Sequence, residues 1–296
     1  MKKTDKYIIL FIMVCLAPVL AQETKAEAGD VTPEQQEVTY EKKIDPKDYL
    51  KYLKSENYRE KVTAIKIIGA SQDKKYMKLI EPFLYDKDIL VVEAAVNAFG
   101  FSKDESAVLK LKPLLRSQNN EMRHVVLEAL FSIGGKKTED IMIDLLDDSD
   151  YSVRVKALNS LIEMKSKNAW SRLTRSLCCD PSTSVKRSAA KALAKILNPN
   201  TSKELREALV SDDSTVRFYS ALALAKMKDK SGMSILLGLI FNEDPELRAA
   251  ALDGLSNLDS KDMLEPLRKM AHAEKDPAIL KTVDGIIKKL EEKYKK

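Results

Sequence analysis

Cysteine, histidine, glycine and aromatic side chains are all scarce in this chain of 296 residues, and each scarcity removes a class of protein. Nine Gly and ten Pro cannot furnish the many tight turns of a sandwich or barrel, which leaves long helical runs. Two histidines, His124 and His272, and three cysteines provide no repeated ligand set, so neither a metal nor another cofactor is expected. No Ser-His-Asp spacing, Gly-rich phosphate loop or paired-Cys zinc pattern stands out, and the chain reads as no enzyme. Fifty basic residues face 45 acidic ones, and a formal charge of +5 supplies no large cationic field for nucleic acid. Downstream of the first residues no uninterrupted apolar run reaches the roughly 18 residues of a membrane span.

The chain opens with Lys2, Lys3 and Lys6 before an apolar run from Tyr7 to Leu20, and Val19 and Ala21 precede Gln22 at the third and first positions. That pattern reads as a signal peptide over residues 1–21 and places the mature protein in the periplasm or outside the cell. A rival is a lipoprotein acylated at Cys15, but Val14 is branched where a small residue is usual, so plain export ranks first. Cleavage after Ala21 would remove three Lys and one Asp and leave a charge of +3. Residues 22–44 are polar, include Pro33 and show no helical period, which describes a flexible linker. At Asp45 a cap, then Pro46, then the stripe Tyr49, Leu50 and Leu53 open a short helix and begin the domain 45–296.

From there the chain repeats. Anchor residues Glu60, Val91, Met122, Val153, Val185, Val216, Leu247 and Ile279 follow one another at steps of 31 or 32 residues. Three before each stands a helix cap: Asn57, Asp88, Asn119, Asp150, Ser182, Asp213, Asp244 and Asp276. Four after each comes a small or narrow residue, Ala64, Ala95, Val126, Ala157, Ala189, Ser220, Ala251 or Val283. Eight after comes a large one, Ile68, Phe99, Leu130, Leu161, Leu193, Leu224, Leu255 or Ile287. A narrow layer beside a bulky one, at one period, is how stacked helix pairs share a core. Seven before the next anchor, Leu84, Leu115, Leu146, Cys178, Leu209, Ile240 and His272 are expected to close the second helix of each pair as its last buried residue.

The period, the Asp-x-x-Val-Arg opening of Asp150 and Asp213, and the Ala and Leu layers resemble HEAT repeats, of the short bacterial type also found in phycobilisome lyases. The resemblance implies an all-α fold, a right-handed α-solenoid of about eight two-helix HEAT-like repeats, with second helices on the concave side. It also implies that Arg123, Arg154, Lys186, Arg217 and Arg248, each directly after its anchor, pair with acids and carbonyls of neighbouring repeats. HEAT-repeat enzymes that bind iron do so through recurring His-Glu pairs. His124 is followed by Val125 and His272 by Ala273, so that chemistry is not expected.

Cys178 and Cys179 are adjacent, and neighbours on a helix point about 100° apart, so a bridge between them would need the helix broken. Cys178 is therefore expected in the core as a small hydrophobe. The candidate partner-binding residues are Trp170, Arg172 and Arg175 in one second helix, Lys203 and Arg206 in the next, and Leu237 and Phe241 in the one after. Their column is basic in the middle and apolar at intervals, which suits an acidic, partly apolar segment of a partner protein. The expected function is an exported, non-catalytic scaffold. The alternative is an enzyme of the HEAT-like lyase type acting on a tetrapyrrole or other small ligand.

Overall fold

Wherever the sequence places a cap residue, a helix begins on the next position. The computed structural model describes residues 45–295, all outside the expected leader with its Cys15 and the expected linker 22–44. These residues fall into two compact units that meet at Gly135 and Lys136. Gly134 and Gly135 there have φ of +74° and +84°, the left-handed region that glycine occupies without a Cβ penalty.

The first unit opens with a 3-10 helix, Pro46–Lys54, in which Asp45 accepts from the Lys47 N–H at 2.9 Å and Tyr49, Leu50 and Leu53 are half-buried. Then come α1 (Tyr58–Ala70), α2 (Lys74–Ile80), α3 (Ile89–Ser102), α4 (Ala107–Leu111) and α5 (Asn120–Ile133). The second unit holds α6 (Lys136–Asp144), α7 (Tyr151–Glu163), α8 (Trp170–Cys179), α9 (Thr183–Lys195), α10 (Ser202–Glu207) and α11 (Ser214–Lys226). It continues with α12 (Met233–Leu239), α13 (Pro245–Leu255), α14 (Leu264–Ala273) and α15 (Pro277–Tyr294). Odd-numbered helices are the first helices of the repeats, even-numbered ones the second. Among the described residues there is no strand, and the fold is an all-α solenoid of HEAT-like repeats.

Consecutive odd helices pack on one another, α1 with α3 and α3 with α5 in the first unit, and α7, α9, α11, α13 and α15 in series in the second. Close packing needs a narrow residue at the crossing, and all eight members of the narrow layer are buried, each with 0% of its surface exposed. The approach is close beside Gly100 of α3, where a Cβ would lie 2.8 Å from the Ala129 Cα of α5. The bulky layer is buried too, except that Ile287 is half-buried and Ile286 takes the inner place in the last helix. Ala157→Leu is accordingly expected to lower stability by about 1–3 kcal/mol, because extra methylenes in a filled layer force neighbours off their rotamers. Thermal melting followed by circular dichroism checks this, and an unchanged midpoint would show that the layer has room.

Two expected core positions are corrected. Cys178 and His272 are exposed, and Leu177 and Met270 are buried in their stead. The buried position moves back by one residue in α8 and by two in α14. Steps of 32 lead into Val185 and Ile279, and there α8 and α14 stay α-helical for ten residues. Elsewhere second helices commonly close in a tighter 3-10 turn, as over Glu81–Tyr85, Leu145–Asp147 and Ala208–Val210. Leu115, Leu209 and the anchor Leu247 are half-buried, and the anchor Glu60 is exposed in the first repeat, where a terminal repeat turns a polar side outward. The expectation about the cysteines is also corrected. Cys178 and Cys179 are bonded to each other, and the helix is not broken because the pair sits at its last two residues.

Candidate functional site

A column of cations can serve a ligand only if the fold does not already use it. The arginines after the anchors are used by the fold. Arg154 donates from Nε and Nη2 to the two Asp180 oxygens, both at 2.8 Å, and from Nη1 to the Asp148 and Ser149 carbonyls. Arg248 repeats this with Glu274, at 2.7 and 3.0 Å, and with the Asn242 and Glu243 carbonyls. Arg123 donates to the Ser117 carbonyl and Arg217 to those of Ser211 and Asp212. In the first repeat Lys61 reaches Asp86 at 3.2 Å.

Those acidic partners belong to a set that the sequence reading missed. Two residues before every cap stands a side-chain oxygen that accepts the cap's own N–H: Ser55, Asp86, Ser117, Asp148, Asp180, Ser211, Asn242 and Glu274. The signal was present as an unbroken column of Ser, Asp, Asn and Glu. Where the residue is acidic it can do two tasks, folding the chain into the next helix and binding the basic side chain of the preceding repeat, as Asp86, Asp180 and Glu274 do. At Ser182 this matters most, because its own side chain makes no capping bond.

The seven candidate partner-binding residues lie on α8, α10 and α12 or just beyond, within the second unit. On α8 the buried side holds Leu173, Thr174, Ser176 and Leu177, leaving Arg172 half-buried and Arg175 exposed. Both arginines pair with Asp147, Arg175 at 3.8 Å. Trp170 is half-buried at the start of α8, and its carbonyl accepts from the Thr174 hydroxyl at 2.8 Å. On α10, which packs beside α8, Lys203 and Arg206 are exposed. Arg206 donates to Asp229 at 2.9 Å. Burial pushes the Asp229 carboxyl up, but bonds from the Ser231 hydroxyl and N–H and from Arg206 outweigh it and hold the group below its ordinary value. Leu237 is half-buried and Phe241 is exposed, while Leu236 and Ile240 fill the core between them. The structure thus brings Trp170, Arg172 and Arg175 beside Lys203 and Arg206 on the packed pair α8 and α10, with Arg172 and Arg175 countered by Asp147 and Arg206 by Asp229, while Leu237 lies on the next second helix and Phe241 just after it.

Among the described residues no group of three or more His, Cys, Asp and Glu could hold a metal ion, and no helix is long and apolar enough to cross a membrane. With the repeats and their buried layers in place, the class is defined as an all-α repeat protein. HEAT repeats match residues 47–131, 138–218 and 202–283, and the chain belongs to that family. Solved structures agree on the fold. YibA of Escherichia coli aligns with a TM-score of 0.62 and 16% identity over 88% of this chain and 99% of that one. An engineered protein aligns with a TM-score of 0.57 and 20% identity over 82% of this chain and 77% of that one. The complex of CpcE and CpcF of phycocyanin lyase from Nostoc reaches a TM-score of 0.44 at 15% identity, over 89% and 99%, too low to speak for an activity. Among curated proteins no sequence match is found.

Proposed function

We propose that this chain is an exported, non-catalytic scaffold that holds an acidic, partly apolar segment of a partner protein against the second helices of its later repeats. The observation that carries this reading is the division of labour among cations. The arginines after the anchors are committed to carbonyls and carboxylates of the fold, whereas Arg175, Lys203 and Arg206 are exposed, Arg175 and Arg206 holding only surface pairs with Asp147 and Asp229, and Phe241 is exposed after the next second helix. HEAT repeats commonly mediate protein interaction, and an extended face suits a polypeptide better than a small molecule. Export rests on the leader read from the sequence, with a lipid anchor at Cys15 as its rival.

The test begins with affinity capture of the mature protein's partner from an envelope extract, followed by surface plasmon resonance on variants. Arg175→Glu with Arg206→Glu should lower the on-rate, and more at low salt, because exposed charges steer the encounter. Trp170→Ala, Leu237→Ala and Phe241→Ala should raise the off-rate, since apolar anchors hold a complex once formed. Undiminished binding in all five, with melting unchanged, would remove the interface from this face.

A further inference from the structure

Among residues 45–295 the only cysteines are Cys178 and Cys179, bonded to each other and both exposed at the end of α8. The helix stops there because Pro181 disfavours helical backbone at the residue before it, and Asp180 is extended, with ψ of 135°. A disulfide stabilises a fold mainly by closing a loop of the unfolded chain, and the gain grows with the residues enclosed. Adjacent cysteines enclose none, so this bond does little as a staple. Its exposure also puts it with the disulfides that exchange, since bonds shielded from solvent are the ones that resist thiols. A third feature is at the helix end. Asp180 stands two before the cap Ser182, and at the seven equivalent positions, Ser55, Asp86, Ser117, Asp148, Ser211, Asn242 and Glu274, the backbone N–H closes the preceding helix by a bond of 2.9–3.3 Å to a carbonyl three or four residues back. The Asp180 N–H makes no such bond, and the covalent pair stands in its place.

We propose that Cys178–Cys179 is a site of thiol–disulfide exchange, opened by a dithiol reductant and closed again by the oxidised form of the same class, and that in the opened state the Asp180 N–H closes α8 as its counterparts close the other helices. A thiolate of the reductant attacks one exposed sulfur, the S–S bond breaks, and the electron pair leaves on the other cysteine, which takes a proton. The second thiol of the reductant loses its proton and attacks the mixed disulfide, which frees the first cysteine to take a proton in turn. Two electrons and two protons pass to the pair, and the reductant departs as a disulfide. The change reaches the packing between repeats through one residue, because Asp180 follows the pair directly and holds both Arg154 and the Ser182 N–H at 2.8 Å. This site is independent of the protein-binding reading above.

The test holds the folded full chain in graded mixtures of reduced and oxidised dithiothreitol, traps free thiols with N-ethylmaleimide and weighs the tryptic peptide 176–186, which carries both cysteines and no other. The peptide should pass from no label to two as the mixture becomes reducing, and back again, with the circular dichroism spectrum unchanged. Labelling that needs prior unfolding in urea would make the bond inert in the native protein and overturn the proposal. Two labels in the fully oxidised mixture would show that the sulfurs do not pair, and loss of helix on reduction would make the bond a structural one; either result overturns it as well. Amide hydrogen exchange followed by nuclear magnetic resonance reads the helix end. The Asp180 amide should exchange about fivefold more slowly in the reduced chain, the protection that one net hydrogen bond gives. Cys178→Ser with Cys179→Ser should show the same slow exchange without any reductant. An Asp180 amide that exchanges equally in the oxidised chain, the reduced chain and the double variant would overturn the proposed change at the end of α8.

Discussion

Arg154→Ala is expected to cost about 3–5 kcal/mol of folding stability, a large share of the roughly 5–15 kcal/mol that holds a domain together. The Arg154 and Asp180 side chains are only 9% and 7% exposed, so removing the guanidinium leaves a carboxylate in a place that water scarcely reaches. Two carbonyls, of Asp148 and Ser149, lose their donor in the same step. Asp180→Asn should be milder at one point and as severe at another. It keeps an oxygen for the Ser182 N–H, 2.8 Å away, but strands the arginine's charge. Arg187→Ala is the contrast, since its pair with Asp213 has an arginine 51% exposed and should contribute no more than about 1 kcal/mol. Urea unfolding of the three variants at low and high salt measures the difference. The Arg187 effect should shrink with salt and the Arg154 effect should persist. A loss under about 1 kcal/mol in Arg154→Ala would mean that water enters the site and that the clamp between repeats adds little.

The clamp also shows where reading the sequence succeeds. The caps and the narrow layer were legible because each is decided within one helix turn by a single requirement: an oxygen for the orphan N–H groups, or a side chain small enough for two axes to approach. Seven of the eight caps bond through their own side chains, with Ser182 the exception. Reading failed where a position depends on how a helix ends. Cys178 and His272 were assigned by a constant offset, but that offset holds only where the second helix closes at the same phase, and the extra residue in α8 and α14 turns both side chains outward. The residues two before each cap were passed over because their first task is a local backbone bond and their second lies about 26 positions earlier in sequence, as between Arg154 and Asp180. The candidate face was legible as composition, in Trp170, Arg172, Arg175, Lys203, Arg206, Leu237 and Phe241. Its neutralising partners Asp147 and Asp229 were not, since only the packed helices bring them near.

Acid should destabilise the last repeats through Glu274, and the sign follows from its surroundings. Bonds from the Arg248 guanidinium and the Asp276 N–H, together with that of Lys275, outweigh burial and hold this carboxyl at about 2, against an ordinary 4.5. A folded value below the unfolded one means that the ionised form favours the folded state. The contribution is therefore complete above about pH 4.5 and is lost as the pH falls towards 2. Two and a half units correspond to up to about 3 kcal/mol, and with the Glu274 side chain only 4% exposed, screening by water removes little of it. Asp86, Asp213, Asp229 and Asp259 are also held low and will add to acid unfolding, so the wild-type profile alone cannot isolate the pair. Glu274→Gln can. The amide keeps an acceptor for the Asp276 N–H but cannot ionise, and it leaves Arg248 without its counter-charge. Urea unfolding at pH 7, 4 and 3 should show the variant weaker than wild type by up to about 3 kcal/mol at neutral pH, with the gap narrowing as the wild-type carboxylate takes up its proton. A gap that stays constant over this range would mean that Glu274 stabilises the last repeats by its shape and hydrogen bonds rather than by its charge.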